Sequence, residues 1–388
     1  MERTERFDVL LVGGGVASVR CARTLRRRGF DGRIMLVGDE RTPPYNRPPL
    51  SKELLRDDLP DELALAEPES WYARRGIDLR LDTMVRELDV GARTATLSDG
   101  TRIPFDKCLL ATGAEPRVPH IPGAERALLL RTIEDARAVR AAARPGTRAV
   151  VIGGGFIGVE VASSLAALGV EVTVVELTAM LWSASLGAEL AAWARERLEG
   201  AGITVLTDSA ADAIEVDGVR VGDRLLPADF VIAGIGVVPR VELAQAAALE
   251  VDDGIVTDAR HETSAPGVFA AGDVARVDGV RVEHWHAARE GGERAALAML
   301  GQPPTPHRAP WVFSEVAGHQ LDVVGLATHW DETRRIGEGD RFAIAHLVGG
   351  STVQVAMVNG AFPVEETRSL VERGSGFMEI ERMDVSAG

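Results

Sequence analysis

Cysteine and lysine are the scarce residues of this 388-residue chain. Only Cys21 and Cys108 are present, and no C-x-x-C pair occurs, which excludes a redox-active dithiol of that kind. Cys21 is expected on the first helix and Cys108 in the strand FDKCLLATG, both as buried small hydrophobes rather than redox centres. Of 43 basic residues only Lys52 and Lys107 are lysine; the rest are arginine. Long apolar runs are missing too, and MERTERFDVLLV lacks the layout of a signal peptide, so the expectation is a cytoplasmic protein with no membrane partner. Positive charge is in deficit: 58 acidic residues give a net charge of −15, which speaks against nucleic acid and anionic membrane as partners. Low-complexity tracts and fixed-period repeats are absent. What remains is an ordinary globular composition, 46% hydrophobic and 26% charged, on a chain long enough for two or three domains.

What is abundant is glycine at two strand-to-helix turns. VLLVGGGVAS carries Gly13, Gly15, Val16 and Ala17, and VVIGGGFIG carries Gly153, Gly155, Phe156, Ile157 and Gly158. Each follows an aliphatic run and opens a stretch of helical periodicity, the setting in which G-x-G-x-x-G signals a dinucleotide. The glycines allow a tight turn and close backbone approach, and a pyrophosphate is held by free N–H groups at the positive end of the helix. Ser18 stands where the first motif usually has Gly or Ala and is small enough to keep helix and strand close. The second strand of the first fold, RIMLVGDE, ends in Asp39 and Glu40; that of the second, VEVTVVEL, ends in Glu176. Acids at these strand ends accept hydrogen bonds from ribose hydroxyls, and Glu176 with no arginine directly after it favours NADH over NADPH. Two such folds imply two nucleotides on one polypeptide, the logic of a flavoprotein reductase.

The order of segments suggests that one fold is inserted into the other. LLATGAEPRVPHIPG leaves the first fold and TSAPGVFAAGDVA returns to it, placing Asp273 just after a short apolar strand, where it can reach a flavin's ribityl hydroxyls. The expected domains are 1–115 with 243–309 for FAD, 116–242 for NADH, and a C-terminal α+β unit, 310–388, with alternating strands such as RFAIAHLV. The expected class is α/β, two Rossmann-like domains plus this small α+β domain.

With these segments in place, the chain resembles the flavoprotein disulfide-reductase superfamily, and within it the oxygenase-coupled NADH–ferredoxin reductases, relatives of putidaredoxin reductase, rubredoxin reductase and apoptosis-inducing factor. PPYNRPPLSKELL, GGGFIGVEVA, FAAGDVA, RVEHWHAAREGG and PWVFSE carry the resemblance, which covers nearly the whole length. It implies noncovalent FAD, NADH as donor, and a ferredoxin-type iron–sulfur protein, or a rubredoxin, as acceptor. The helix that carries reactive cysteines in disulfide reductases here holds Arg47, Ser51 and Lys52, so the hydride is expected to stop on FAD.

The resemblance also assigns residues. Lys52 and Glu160 are implied as a catalytic pair beside the flavin's reactive edge; a compact ammonium kept in so lysine-poor a chain is not replaceable by arginine's planar fork. Arg47, Arg131 and Val85 match positions that line FAD, Gly236, Glu283 and His284 positions near nicotinamide, and Trp285 one near the flavin. Phe313 stands where the family usually places Trp, Arg240 where Asn is usual, and Glu290 where Gln is usual. No metal site is expected: His284 and His286 lack a third ligand. Arg23, Arg26, Arg27 and Arg28 form a candidate basic patch for an acidic partner, against the reading of a solvated helix face. NADH oxidation by O2 and a redox-sensing interaction protein like apoptosis-inducing factor remain as alternatives, and the oligomeric state is open between monomer and homodimer.

Overall fold

In the computed structural model, residues 6–56, 60–182 and 185–381 are described. The chain divides into two compact units, 1–47 with 60–115 and 238–306, and 48–59 with 116–237 and 307–388.

In the first unit, strand Phe7–Val12 lies between Ile34–Val37 and Arg102–Leu110, parallel to both, with Val9 in register with Ile34 and Lys107. Ile77–Arg80 extends the sheet beyond Ile34–Val37, and Val268–Ala270 pairs in parallel with the far end of Arg102–Leu110. That strand is long enough to serve three partners: its first residues pair antiparallel with Thr94–Leu97, which in turn pairs with Val85–Asp89. Where both faces are covered the sheet's central strands are apolar without a break, Ile34–Val37 throughout and the others over 9–12 and 108–110. On one face the helices Val16–Arg27 and Trp285–Met299 pack through small residues, Ala17, Ala22, Ala288, Ala295 and Ala296. The approach is so close that a Cβ on Gly292 would lie 2.1 Å from the Ala17 carbonyl. Cys21 and Cys108 are fully buried, one on the first helix and one in the long strand, and burial pushes both thiols up.

The second unit repeats the plan. Its parallel sheet runs Thr204–Leu206, Glu171–Val175, Arg148–Ile152, Phe230–Ala233, Ala127–Leu128. A separate antiparallel sheet of five strands (Trp311–Val316, His319–Gly325, Ser351–Val358, Arg341–Val348 and Glu332–Glu338) carries the C-terminal part of the chain. One face of that sheet, with Val316, Leu321, Phe342 and Ile344, shares a hydrophobic cluster with Val151, Val159, Leu165 and Trp193 of the nucleotide fold. The other face is covered by helix Val364–Glu372. Residues 48–56 join this unit rather than the first, and the cause is visible: Leu55 is fully buried in the shared cluster, and the Arg140 guanidinium donates to the carbonyls of Leu55 and Arg56 at 2.7 and 2.6 Å. The architecture is α/β with two Rossmann-like sheets and a five-stranded antiparallel sheet.

Candidate functional site

Both glycine turns are built alike. Gly13 has φ +112° and Gly153 φ +106°, and a Cβ would meet the Ala111 carbonyl oxygen at 2.1 Å or the Gly234 oxygen at 2.5 Å. No L-residue with a side chain satisfies both demands. Gly158 serves the close packing of helix on strand: its Cβ would lie 2.0 Å from the Gly153 carbonyl oxygen. The helices Val16–Arg27 and Phe156–Ala167 start at Gly15 and Gly155 in extended conformation, with neither a capping side chain nor an acid in the first turn. A Cβ on Gly15 would meet nothing within 4 Å, and one on Gly155 only the Gly234 oxygen at 3.9 Å. Amide donors facing open space at the positive end of a helix dipole fit a pyrophosphate, so the chain's own geometry suits two dinucleotides. Val16, Ala17, Phe156 and Ile157 form the first turns of these helices.

The acids at the strand ends already have partners. Asp39 pairs with Arg240 at 2.9 Å, while Glu40 accepts from the Tyr45 hydroxyl and, at 2.9 Å, from Arg47. Asp273 lies close enough to influence both Arg47 and His284 electrostatically. Burial holds His284 down to about 4, with Asp273 opposing, so the imidazole is neutral at pH 7. Trp285 donates its indole N–H to Asn46 at 2.9 Å, with the Arg289 guanidinium 4.4 Å from its ring centre. Glu283 is exposed and paired with Arg281. Val85 is buried in the core of the first unit, so what it can offer a ligand is main chain.

In the second unit Glu176 closes on the glycine turn. Its carboxylate accepts from the Gly154 N–H at 2.6 Å and from the Thr178 N–H and hydroxyl, each at 2.7 Å. Exposed apolar side chains, Ile157, Leu177 and Ile235, flank these turns. Gly236, with φ +95°, accepts from the Arg117 N–H at 2.9 Å. Arg131 precedes helix Ile133–Ala142, and its N–H donates to the capping Asp135 at 2.9 Å.

Lys52 and Glu160 are brought together as an ion pair of 2.6 Å, with side chains only 9% and 5% exposed. The Ser51 hydroxyl donates to the same Glu160 oxygen, and Ser314 donates to the other at 2.7 Å. Phe313, beside Ser314, places its ring centre 5.8 Å from the Lys52 nitrogen. Lys107 has a different role, donating to the Met299 carbonyl.

The candidate arginine patch is partly spoken for. Arg26 turns inward to four carbonyls, those of Phe30, Gly32, Arg75 and Gly76, and Arg23 pairs with Glu67 at 2.7 Å while staying exposed, as Arg27 and Arg28 are. Three contributors were not singled out from the sequence, Ser314, Tyr45 and Thr178, and Ser51 was singled out without its partner. Ser51 sits inside RPPLSK and Ser314 inside PWVFSE, but nothing in a hydroxyl's position along the chain announces which carboxylate it will meet. Among the described residues no group of His, Cys, Asp or Glu is arranged to hold a metal, and no helix is long and apolar enough to cross a membrane.

Two open glycine turns, each followed by an acid at the second strand, define the class as a two-nucleotide reductase fold. The pyridine nucleotide-disulphide oxidoreductase model matches residues 7–292, and the chain belongs to that family. It is 38% identical over 366 residues to the ferredoxin–NAD(+) reductase component of a biphenyl dioxygenase system of Paraburkholderia xenovorans, covering 90% of each chain. It is 33% identical to a rubredoxin–NAD(+) reductase of Pseudomonas putida, over 84% of this chain and 88% of that one. Among solved structures it superposes on putidaredoxin reductase, in its covalent complex with putidaredoxin, with a TM-score of 0.91 at 32% identity, covering 94% of this chain and 93% of that one. The protein is an oxidoreductase whose cofactors are FAD and NADH.

Proposed function

We propose that this is an FAD-dependent NADH:ferredoxin reductase that passes electrons from NADH to a ferredoxin-type iron–sulfur protein and serves an oxygenase such as a cytochrome P450. The observation that carries it is a combination: two open dinucleotide turns, with both thiols sealed in cores where no reactive relay can form. The relatives named as reductase components of dioxygenase systems, and the one solved with putidaredoxin, support the choice of acceptor.

In this reading the FAD-binding domain is 1–115 with 243–309, the NADH-binding domain 116–242 and the C-terminal domain 310–388. When bound, FAD supplies the chemistry of accepting one hydride, two electrons together, and releasing those electrons singly. The chain's own residues bind and orient. Gly13, Gly15, Val16 and Ala17 hold the FAD pyrophosphate, Asp39 and Glu40 its ribose, and Arg47, Val85, Arg131, Asp273 and Trp285 the remainder. Gly153, Gly155, Phe156, Ile157, Gly158 and Glu176 hold NADH, with Gly236, Glu283, His284 and Phe313 toward its nicotinamide. Lys52, balanced by Glu160, supplies a fixed positive charge near the flavin's reactive edge, and no side chain acts as nucleophile. A cytoplasmic location, and a monomer or homodimer, complete the proposal.

The test is anaerobic and aerobic turnover of the FAD-loaded protein with NADH and three acceptors: a [2Fe–2S] ferredoxin, a rubredoxin and O2. Fast ferredoxin reduction with slow O2 consumption is expected. O2 turnover as fast as ferredoxin reduction would make it an NADH oxidase instead.

A further inference from the structure

Glu160 is reached by donors from three directions. It projects from helix Phe156–Ala167 and is only 4% exposed. One carboxylate oxygen takes the Lys52 ammonium at 2.6 Å and the Ser51 hydroxyl; the other takes the Ser314 hydroxyl at 2.7 Å. The same helix face reinforces both attachments one turn later. Ser164 donates to the Ser51 carbonyl at 2.6 Å, while Ser163 accepts from the Ala317 N–H at 3.0 Å. Positions 160, 163 and 164 are neighbours on a helix surface, so one short stretch grips the PPLSK segment and the strand Trp311–Val316 together.

The physical need is clear. A buried ammonium is tolerable only beside a counter-charge of fixed orientation, and a carboxylate with one unsatisfied oxygen is free to rotate away from it. Lys52 has one weaker alternative, the Pro48 carbonyl at 3.3 Å. The two hydroxyls remove the rotation, and Phe313, next to Ser314, lies 5.8 Å from the ammonium, so the strand that carries it is fixed by the same carboxylate.

We propose that Ser51 and Ser314 are positioning residues for Lys52: they lock the Glu160 carboxylate in the orientation that holds the ammonium, and so set the positive charge felt by the flavin. This rests on the reading of Lys52 given above. No bond to the serines forms or breaks; they act through Glu160.

The test is the flavin midpoint potential, measured by anaerobic equilibrium titration of the FAD-loaded full-length protein. Ser314→Ala is expected to move the oxidised/reduced equilibrium about tenfold toward oxidised flavin, close to the weight of one hydrogen bond to a charged group and about 30 mV for a two-electron couple. Ser51→Ala should act in the same direction, and Ser314→Thr, which keeps the hydroxyl on a strand, should restore the wild-type potential. In a Lys52→Met background Ser314→Ala should cause no further shift. Unfolding temperatures of the apoproteins separate misfolding from positioning, and Ser51→Ala serves if Ser314→Ala folds poorly. A wild-type potential in both alanine variants while Lys52→Met shifts it would overturn the positioning role alone. So would a full-sized shift that persists without Lys52. If Lys52→Met itself leaves the potential unmoved, the underlying reading of Lys52 falls, and the inference with it.

Discussion

Lys52→Met is the most revealing single substitution, because it separates what the ion pair does for the fold from what it does for the flavin. Methionine keeps the length and apolar stem of the side chain but removes the ammonium 2.6 Å from Glu160. Breaking a buried pair by deleting one partner costs about 3–5 kcal/mol. Glu160 is not left bare, since Ser51 and Ser314 still donate to it. Hydrogen bonds to a charged group are worth about 1.5–3 kcal/mol each, so the lower end, about 3 kcal/mol, is the better figure. In a domain of 150–250 residues that corresponds to about 6–12 °C in Tm. Lys107→Met is the control: it loses only the contact to the Met299 carbonyl, at a half-buried site, and should cost about 1 kcal/mol. Lys52→Met with Glu160→Leu removes both charges, and well-packed apolar replacements of buried pairs are often neutral, but it also strands the Ser51 and Ser314 hydroxyls, so it should recover only part of the stability. Flavin reduction should not recover with it. The assay is calorimetry of each apoprotein, then flavin content and anaerobic stopped-flow reduction by NADH. Wild-type stability, FAD content and reduction rate in Lys52→Met would refute the argument.

Three further outcomes follow from the same geometry. Because Glu176 is pinned by three donors, a 2′-phosphate would have to sit beside a carboxylate that cannot swing away, so kcat/KM with NADH should exceed that with NADPH by at least ~10-fold; equal values would remove Glu176 from that role. Cys21→Ala with Cys108→Ala should keep NADH-dependent dye reduction, since both thiols are sealed in hydrophobic cores, and loss of turnover with FAD retained would reveal a thiol step. His284 titrates near 4 in the fold, below the ordinary histidine value of 6.5, so the unfolded chain takes up this proton first on acidification. Stability is therefore lost as pH falls from about 6.5 toward 4, and the decline in Tm over that window should be shallower in His284→Gln; identical slopes would show that His284 contributes nothing to it.

The fold was legible because its signals are backbone demands. Gly13 and Gly153 cannot be replaced where a carbonyl oxygen lies about a bond's length or two from any Cβ, and the apolar runs 9–12 and 149–152 are what strands covered on both faces require. Lys52 was legible for another reason, the rarity of lysine in a chain of arginines, while its pairing with Glu160 came from the family resemblance. Side-chain partnerships were not legible. Asp39 and Glu40 stand next to each other, yet one meets Arg240, some 200 residues later, and the other Tyr45 and Arg47 nearby. Arg240, noticed only as standing where asparagine is usual, turns out to be the counter-charge of an acid assigned to ribose. The arginine run 26–28 shows the converse limit, since helical spacing cannot tell that Arg26 is consumed by four carbonyls while its neighbours stay exposed.

These two limits bear on the chemistry in different ways. A reductase of this kind has little covalent work for its side chains, so its residues act by where they fix charge. The charge itself was readable from the type of residue, as with Lys52. Its fixation was not, because it rests on two serine hydroxyls that meet Glu160 from segments more than 250 residues apart, at 51 and 314. Removing a hydroxyl therefore tests the part of the site that only the folded chain reveals. Removing the lysine tests the part already written in the composition.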